Sequence, residues 1–493
     1  MNPAAAALTG DQQRAEAAFA DWLGQAERGL PFVLSGFAGA GKTFLSMRLL
    51  AAADAAGLCW TVAAPTHKAV GVLRSHLASS ALQPTWYPAT IHRLLRLKLK
   101  RQGDLERCEE TAQTAAALEH LGLVLIDEAS MVDSSLLEIC LRCAHPFGTR
   151  LVFVGDPAQL PPVGEASSPV FALKRAQRAD LCEVVRHQGP VLHLATGIRN
   201  GNLPCRRPPP LPAIRAANGQ VQCLPPDAWL AAAQAALRRS VELDNPDHAR
   251  LLCYTNRALE RLVPLARRAL HGDMADQLSV LPGEVLISRS AVMAPACTGG
   301  EEAAEAVAED PDMVLGSNRE LVVRDVEPVR FDLAELGISS ADLGPDQAVP
   351  VIDTLKAVVD AGESQLGLRL LPVAGSAGRR HIDAVLQRLR QQARSAATAG
   401  AKAEAKALWR RFFLLRDAFA SLGPAAVLTV HRSQGSTFGE VFVDADVYWP
   451  SDLVLRQQLV YVAVSRASQA VTLIAGAANP ADRDLWERWF YAI

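Results

Sequence analysis

The sequence predicts an α/β protein built on parallel sheets, with two insertions. Three observations predict it. Residues 31–65 read strand, Gly-rich loop, helix, strand ("PFVLSG", "FAGAGKT", "FLSMRLLAAADAAG", "LCWTVAAP"), the usual start of a parallel sheet. A second α/β pattern begins near "HARLLCYTNRALERLVPLARRAL" (248–270) and resumes at "AVLTVHRSQGSTFGEVFVD" (426–444). Between 285 and about 350, short β-like runs ("EVLISRSAVMA", "RELVVRDVE") flank the acidic "EEAAEAVAEDPD" and read as a small barrel with a solvated loop.

The remaining elements follow in chain order. Buried strands are expected at "LGLVLIDEA" (121–129) and "TRLVFVGD" (149–156). Ahead of them, "LRLKLKRQGDLERCEE" (95–110) alternates around Gln102-Gly103-Asp104 and reads as a hairpin insertion. Residues 204–212, rich in Pro and Arg, read as a connector. Residues 379–420 are strongly helical, two helices around "SAATAGAKA", with a local excess of Lys and Arg. That excess reads either as a solvated helix face or as a surface that meets a phosphate backbone. No internal repeat is present.

Composition bounds the class. At 493 residues the chain exceeds one ordinary core, and roughly 100–200 residues per domain predicts three or four compact units. A 49 % hydrophobic and 21 % charged composition is that of a soluble globular protein. The formal net charge of −2 excludes an overall field for polyanions, so an anionic partner must meet a local basic surface. No apolar run approaches the ~18 residues of a membrane span. "MNPAAAALTGDQQ" lacks the basic start and apolar core of a signal peptide. The expectation is a cytoplasmic protein of a bacterium or bacteriophage, with no membrane partner. Among nine scattered cysteines only Cys140 and Cys143 are close, and with no second pair they read as one turn of a half-buried helix.

"GFAGAGKT" matches G-x-x-x-x-G-K-[ST], with Gly36, Gly39, Gly41, Lys42 and Thr43 as the nucleotide-binding candidates. It follows a strand and opens a helix, so backbone N–H groups and the helix N-terminus converge on phosphate. Lys42 is placed to reach the β/γ-phosphates and Thr43 to bind Mg²⁺. "VLIDEAS" supplies Asp127 at a strand end for the Mg²⁺ shell and Glu128 to polarise the attacking water. These residues imply an NTPase using Mg²⁺, of unspecified purpose.

The purpose comes from the ordered loops. "APTHKAV" (64–70), "TIHRLL" (90–95), "IDEASMVD" (126–133), "GDPAQLPPVG" (155–164), "LCEVVRHQ" (181–188), "CYTNRA" (253–258), "TVHRSQGSTF" (429–438) and "YVAVSRA" (461–467) follow the P-loop. With these, the chain resembles the superfamily 1B DNA helicases, in the Dda and RecD-like branch, from "LTGDQQ" (8–13) to Ala467. The resemblance implies two RecA-like motor domains with ATP and Mg²⁺ between them. It implies a first domain over 1–93 and 118–190, a strand-separating hairpin over 94–117, and a second domain over 191–285 and 424–493. An SH3-like barrel with a helical arm would fill 286–423.

The resemblance also implies roles. Gln12 would read adenine, Gln159 would sense the γ-phosphate, and Arg186 and Arg466 would reach the nucleotide from the second half of the motor. The chain departs from the common Arg-Gln with Arg186-His187-Gln188, which leaves the role of Gln188 open. Single-stranded DNA would lie across Pro65, Thr66, His67, Lys68, Thr90 and His92, then Thr255, Asn256, Thr429, His431 and Ser433. The hairpin tip "KRQGDLE" has no aromatic residue. Trp86 and Tyr87 are read either as stacking groups or as core, and Trp409, Phe412 and Phe413 as core of the arm. The implied activity is a 5′→3′ helicase acting at single-strand/duplex junctions, with single-strand-binding, replication or recombination proteins as candidate partners. The alternative is a single-strand translocase that displaces bound proteins or serves as the motor subunit of a recombination or repair complex.

Overall fold

The computed structural model describes residues 8–25, 29–102, 105–162, 164–183, 189–203, 205, 213–297, 313–340, 349–361, 365–475, 484–486 and 488. The chain divides into two compact units. One comprises 1–97, 110–270 and 426–493, the other 98–109 and 271–425.

The first unit holds two six-stranded sheets. In the first, the order is Ala89–Thr90, Trp60–Ala64, Leu123–Ile126, Arg150–Gly155, Phe32–Gly36, Gln177–Leu181, all parallel. Both faces are covered, so its central strands are continuous apolar runs. Because strand side chains alternate, Leu123 and Leu125 enter one core with Phe19, Trp22, Phe32 and Trp60. Val124 and Ile126 enter the other, with Leu136, Leu137, Cys140 and Phe153. Gln177–Leu181 was not expected as a strand. It is polar and half-exposed at the sheet edge, where only its pairing with Phe32–Gly36 identifies it. Cys140 and Cys143 are fully buried on helix Ser134–Ala144, and burial pushes the Cys140 thiol up to about 12.

Helix Gly10–Gly24 runs over this sheet. Thr9 and Gln12 close a capping box at its start, each side chain bonded to the other's backbone N–H at 3.2 Å. Asp11 accepts the backbone N–H groups of Cys182 and Glu183, both at 2.7 Å, which tethers the helix to the end of the edge strand. Trp22 anchors its other end. The ring is fully buried against Phe19 and Phe32, and its Nε1–H donates to the Leu30 carbonyl at 2.9 Å.

The second sheet has the order Val427–Thr429, Ala249–Cys253, Phe438–Val443, Ala467–Ile474, Gly219–Leu224, Ile214–Ala216. All neighbours are parallel except the last pair. Two of these strands lie upstream of residue 248, where the periodic pattern first became readable. They are short and only partly buried, which blurs the alternation. Trp229 locks helix Pro226–Glu242 onto this sheet, buried edge-on to Phe442 with its Nε1–H on the Thr472 carbonyl at 3.1 Å.

The second unit contains an antiparallel sheet ordered Gln365–Arg369, Val351–Asp360, Glu320–Asp332, Val285–Ser288, Leu422–Pro424. Its strands therefore extend past residue 350 and include a return strand after the helical segment. The two long strands serve two cores. Leu321, Val323, Ala357 and Val359 face the sheet's own core. Phe331 and Ile352, at the far end, join the core of the helix pair Ala377–Thr398 and Lys402–Asp417. Phe412 and Phe413 are buried there, and Trp409 packs against both rings. The strands Lys98–Gln102 and Leu105–Glu109 form the expected hairpin, its register marked by Lys98 opposite Glu109. The tip residues 103–104, the connector 206–212 and the acidic loop 301–312 lie outside the described residues. No helix among the described residues is long and apolar enough to cross a membrane.

Trp22→Ala should destabilise the chain by about 3–5 kcal/mol, the range for removing a large buried aromatic. The check is a lower denaturant midpoint in far-UV circular dichroism, with Trp22→Phe closer to the parent.

Candidate functional site

Parallel strands place their carboxyl ends on one edge, and most of the predicted site loops follow such an end, Gln12 and Arg466 excepted. In the first sheet, the loops after Phe32–Gly36, Leu123–Ile126 and Arg150–Gly155 carry the nucleotide candidates. The loops after the two strands at the opposite edge carry Pro65–Lys68 and Thr90–His92. The second sheet repeats the division. Its edge pair Val427–Thr429 and Ala249–Cys253 leads into Thr429–Ser433 and Thr255–Asn256, and Arg466 lies before the inner strand Ala467–Ile474.

A cavity of 420 Å³ gathers the nucleotide candidates. Gln12, Gly39, Gly41, Lys42, Thr43, Asp127, Glu128 and Gln159 line it from the first sheet, and Arg466 from the second. Gly36 lies at the end of the P-loop strand, where an added Cβ would come within 2.8 Å of the Leu181 Cβ. Gly39 and Gly41 have φ of 83° and 81°, a region that an L side chain rarely adopts. The following helix, Lys42–Ala55, starts on Gly41 with no side-chain cap, which leaves its first N–H groups for an anion. The Lys42 ammonium donates to the carbonyls of Gly36 and Phe37 at 3.0 and 2.9 Å.

The acids sit as a strand end dictates. Asp127 accepts the Glu128 N–H at 2.8 Å. Burial, and then the neighbouring Glu128, push its carboxyl up to about 7, against the opposing pull of Lys42. Glu128 itself has φ 54°, a left-handed conformation uncommon outside Gly, Asn and Asp, which turns its side chain at the end of the buried strand. A hydroxyl from Thr43 and a carboxylate from Asp127 are hard oxygen donors on one cavity, and a divalent cation there would draw the Asp127 pKa back down. The donor set and the open helix start fit a Mg²⁺–nucleoside triphosphate.

Two further groups look into the cavity. Gln159 is 4 % exposed and its Oε1 is buried with no hydrogen-bond partner, an acceptor that a ligand or water would satisfy. Arg466 is held by its own helix end and by the 429–438 loop: Nε donates to the Val462 carbonyl at 3.3 Å, Nη1 to the Ser436 carbonyl at 3.2 Å, Nη2 to Ser465 Oγ at 3.1 Å. Gln12 is also buried, and its amide is engaged on both sides, by the Thr9 N–H and by the Ala40 carbonyl at 3.1 Å. It therefore ties the first helix to the P-loop. Arg186 and Gln188 lie outside the described residues.

The DNA candidates divide by exposure. Asn256 is exposed, and Pro65, Thr66, His67, Lys68, His92, Thr255 and His431 are half-buried. Several are already bonded. Thr66 and Thr90 cap the helices they precede, accepting from Ala69 and Arg93 N–H. Lys68 lies over the Phe438 ring at 5.3 Å. Thr255 donates to Asp446 Oδ2 at 2.9 Å, and the same carboxylate accepts the N–H groups of Tyr254 and Thr255. Burial holds the His92 and His431 imidazoles below their ordinary value, so both favour the neutral form. Thr429 is 7 % exposed. Ser433 is fully buried with its hydroxyl on the Val430 carbonyl at 2.8 Å, so its side chain shapes the turn and faces no solvent.

Sequence reasoning missed a buried network between the two sheets. Asp156, at 0 % exposure, accepts Arg199 Nη2 at 2.8 Å and the Tyr461 hydroxyl at 2.5 Å. The Tyr461 oxygen accepts the P-loop N–H of Ala38 at 3.1 Å, and the Arg199 guanidinium lies over the Phe37 ring at 3.6 Å. Burial, reinforced by Asp156, raises the Tyr461 pKa and keeps its proton in place as a donor. Both Asp156 and Tyr461 fall within the quoted loops, but their pairing across 305 positions leaves no local signal. A second tie runs through the 429–438 loop. Gln434 Nε2 donates to the Leu160 carbonyl at 3.3 Å, and a Cβ on Gly435 would lie 3.7 Å from Glu128 Oε1.

Residues 8–224 match a family model described as an AAA domain, and residues 424–474 one described as a UvrD-like helicase C-terminal domain. The chain is 23 % identical over 455 residues to the ATP-dependent DNA helicase dda of Enterobacteria phage T4, covering 88 % of this chain and 92 % of that one. The chain is homologous to this helicase along most of its length. The ATP-dependent RecD2 DNA helicase of Deinococcus radiodurans is 33 % identical over 175 residues, covering 35 % of this chain and 22 % of the relative. Among solved structures, Pif1 helicase from Bacteroides in complex with ADP-AlF3 and ssDNA matches 99 % of this chain and 98 % of that one, at 14 % identity and a TM-score of 0.47.

The Asp127 carboxyl gives a pH-dependent prediction. Raised from 3.8 to about 7 on folding, it binds more protons in the folded than in the unfolded chain across that window. Its contribution to stability therefore falls as pH rises from about 4 to 7 and is lowest above 7. Without Mg²⁺ and nucleotide, Asp127→Asn should raise the thermal midpoint at pH 8, by an increment that shrinks as pH is lowered toward 4. A pH-independent difference in calorimetric scans would count against the raised carboxyl.

Proposed function

We propose that this chain is an ATP- and Mg²⁺-dependent DNA helicase that translocates 5′→3′ on single-stranded DNA and opens duplex ahead of it. The helicase activity is supported by the homology to the Dda and RecD2 helicases. The observation that carries the mechanism is the single cavity where Lys42, Thr43, Asp127 and Glu128 meet Arg466 from the second sheet. The direction rests on the superfamily 1B grouping.

In this reading Gly36, Gly39, Gly41 and Lys42 hold the phosphates, and Thr43 and Asp127 hold Mg²⁺. Mg²⁺ supplies charge neutralisation on the phosphates when bound. Glu128 orients and takes a proton from the attacking water, and the amide of Gln159 registers the γ-phosphate. Arg466 acts in trans to the P-loop, a contribution worth roughly 10³–10⁵ in rate in other phosphoryl-transfer enzymes. Arg186 is assigned the companion role and Gln12 the adenine edge. We assign 1–93 and 118–190 to the first RecA-like domain, and 191–285 and 424–493 to the second. The hairpin spans 94–117, and an SH3-like barrel with its arm spans 286–423. DNA is assigned to the loops at the edge strands of both sheets, where phosphate contacts position the strand without reading sequence.

Coupling follows from who touches whom. The 429–438 loop carries Thr429 and His431 toward the DNA edge, and its Gln434–Gly435 segment lies against Leu160 and Glu128. A change at the nucleotide shifts that loop, because the two cannot move independently through a close-packed contact.

Unwinding of a duplex with a 5′ single-stranded tail, and none with a 3′ tail, is the expected outcome of a strand-displacement assay; the reverse pattern would refute the direction. Lys42→Ala and Glu128→Gln should each lower DNA-stimulated ATP hydrolysis by at least about 10³-fold, while oligonucleotide binding persists. Turnover retained in either variant would remove the active-site assignment.

A further inference from the structure

The sequence leaves Trp86 and Tyr87 as either stacking groups or core, and the structure separates them. Trp86 packs on the first-sheet core, and its carbonyl accepts the Thr61 hydroxyl at 2.7 Å. Tyr87 is 73 % exposed, the most exposed of the large hydrophobic side chains described. It is nonetheless held. The Arg74 guanidinium lies over its ring at 4.1 Å, and Arg74 Nη2 is fixed on the Pro88 carbonyl at 2.6 Å. One ring face is thus braced by a cation while most of the side chain stays open.

The ring borders a hollow of 360 Å³ lined by Trp86, Tyr87, Ala89, Arg93, Leu94 and Arg96, none of them acidic. Arg93 and Arg96 are exposed. Arg96 has φ 55°, and its carbonyl accepts the Thr111 hydroxyl at 3.1 Å while Nη1 donates to Gln113 Oε1 at 3.2 Å, so its place is set. The hollow adjoins Thr90 and His92, and Arg74 stands on the helix that begins at His67.

We propose that Tyr87 is a stacking platform for a base of single-stranded DNA, with Arg93 and Arg96 meeting the flanking phosphates. A braced aromatic ring loses little freedom on stacking, and every base offers a π-face, so the site is sequence-tolerant. Two arginines beside it neutralise backbone charge, which the chain's net charge of −2 does not do globally. In the sequence, these residues come just before the hairpin strand that starts at Lys98. The inference rests on the DNA-helicase reading and adds a contact residue to it.

The test compares binding of full-length wild type, Tyr87→Ala and Tyr87→Trp to oligo(dT) and to an abasic oligonucleotide of equal length. Tyr87→Ala should weaken oligo(dT) binding on the order of 10-fold and leave abasic binding unchanged, while Tyr87→Trp retains oligo(dT) affinity. Irradiated 5-iododeoxyuridine oligonucleotide should crosslink at Tyr87. Arg93→Ala should weaken both ligands and reduce the slope of log affinity against log salt by about one. Equal losses on both ligands, or unchanged oligo(dT) binding with crosslinks only elsewhere, overturns the stacking site. Wild type that binds neither oligonucleotide, with no ATPase stimulation by DNA, overturns the helicase reading itself.

Discussion

The structure of the motor unit turns on the buried carboxylate of Asp156. It follows a strand of the first sheet, and its two partners, Arg199 and Tyr461, come from helices beside the second. A buried carboxylate without partners would be strongly destabilising, and removing one partner of such a pair typically costs 3–5 kcal/mol. The two sheets are therefore held to one geometry by a group that cannot be left alone. The same tyrosine oxygen accepts the Ala38 N–H, so the geometry is set at the P-loop itself. The cavity that Lys42 and Arg466 both line lies beside that tie.

The strand order separates the two sets of candidates. In the first sheet the inner strands carry the nucleotide candidates at their carboxyl ends, and the two strands at one side carry Pro65–Lys68 and Thr90–His92. In the second sheet the edge pair leads into Thr255 and Thr429–Ser433, whereas Arg466 precedes its strand. The 429–438 loop spans the separation, with His431 beside Tyr254 among the DNA candidates and Gly435 against Glu128 at the cavity. Close packing makes such a span a lever, because a packed contact has discrete arrangements and little compliance.

Some site residues act through the backbone rather than through a ligand. Ser433, Thr66 and Thr90 use their hydroxyls on main-chain groups, which fixes the turns that aim their neighbours. Gln12 lines the cavity and also bonds main-chain groups, joining the first helix to the P-loop. A polar loop is therefore a mixture of presenting and shaping residues, and burial tells them apart. Tyr87 is the converse case: flanked by core, it is kept at the surface by a stacked arginine.

The sequence by itself determined the parallel α/β class, the P-loop, the two acids and the hairpin, because each is written in local spacing: apolar runs, glycine positions and turn residues. It also placed the candidate DNA loops after strands. Only the tertiary structure decided the edge strand Gln177–Leu181 and the strands at 214–224, whose residues are too polar or too exposed to show a period. The same holds for the assignment of Phe331 and Ile352 to the helical arm, the division of Trp86 from Tyr87, and the network around Asp156. The physical reason is common to all of them. Hydrogen bonds, burial and ring contacts between residues hundreds of positions apart depend on which surfaces the folded chain brings together, and no periodicity along the chain encodes that pairing.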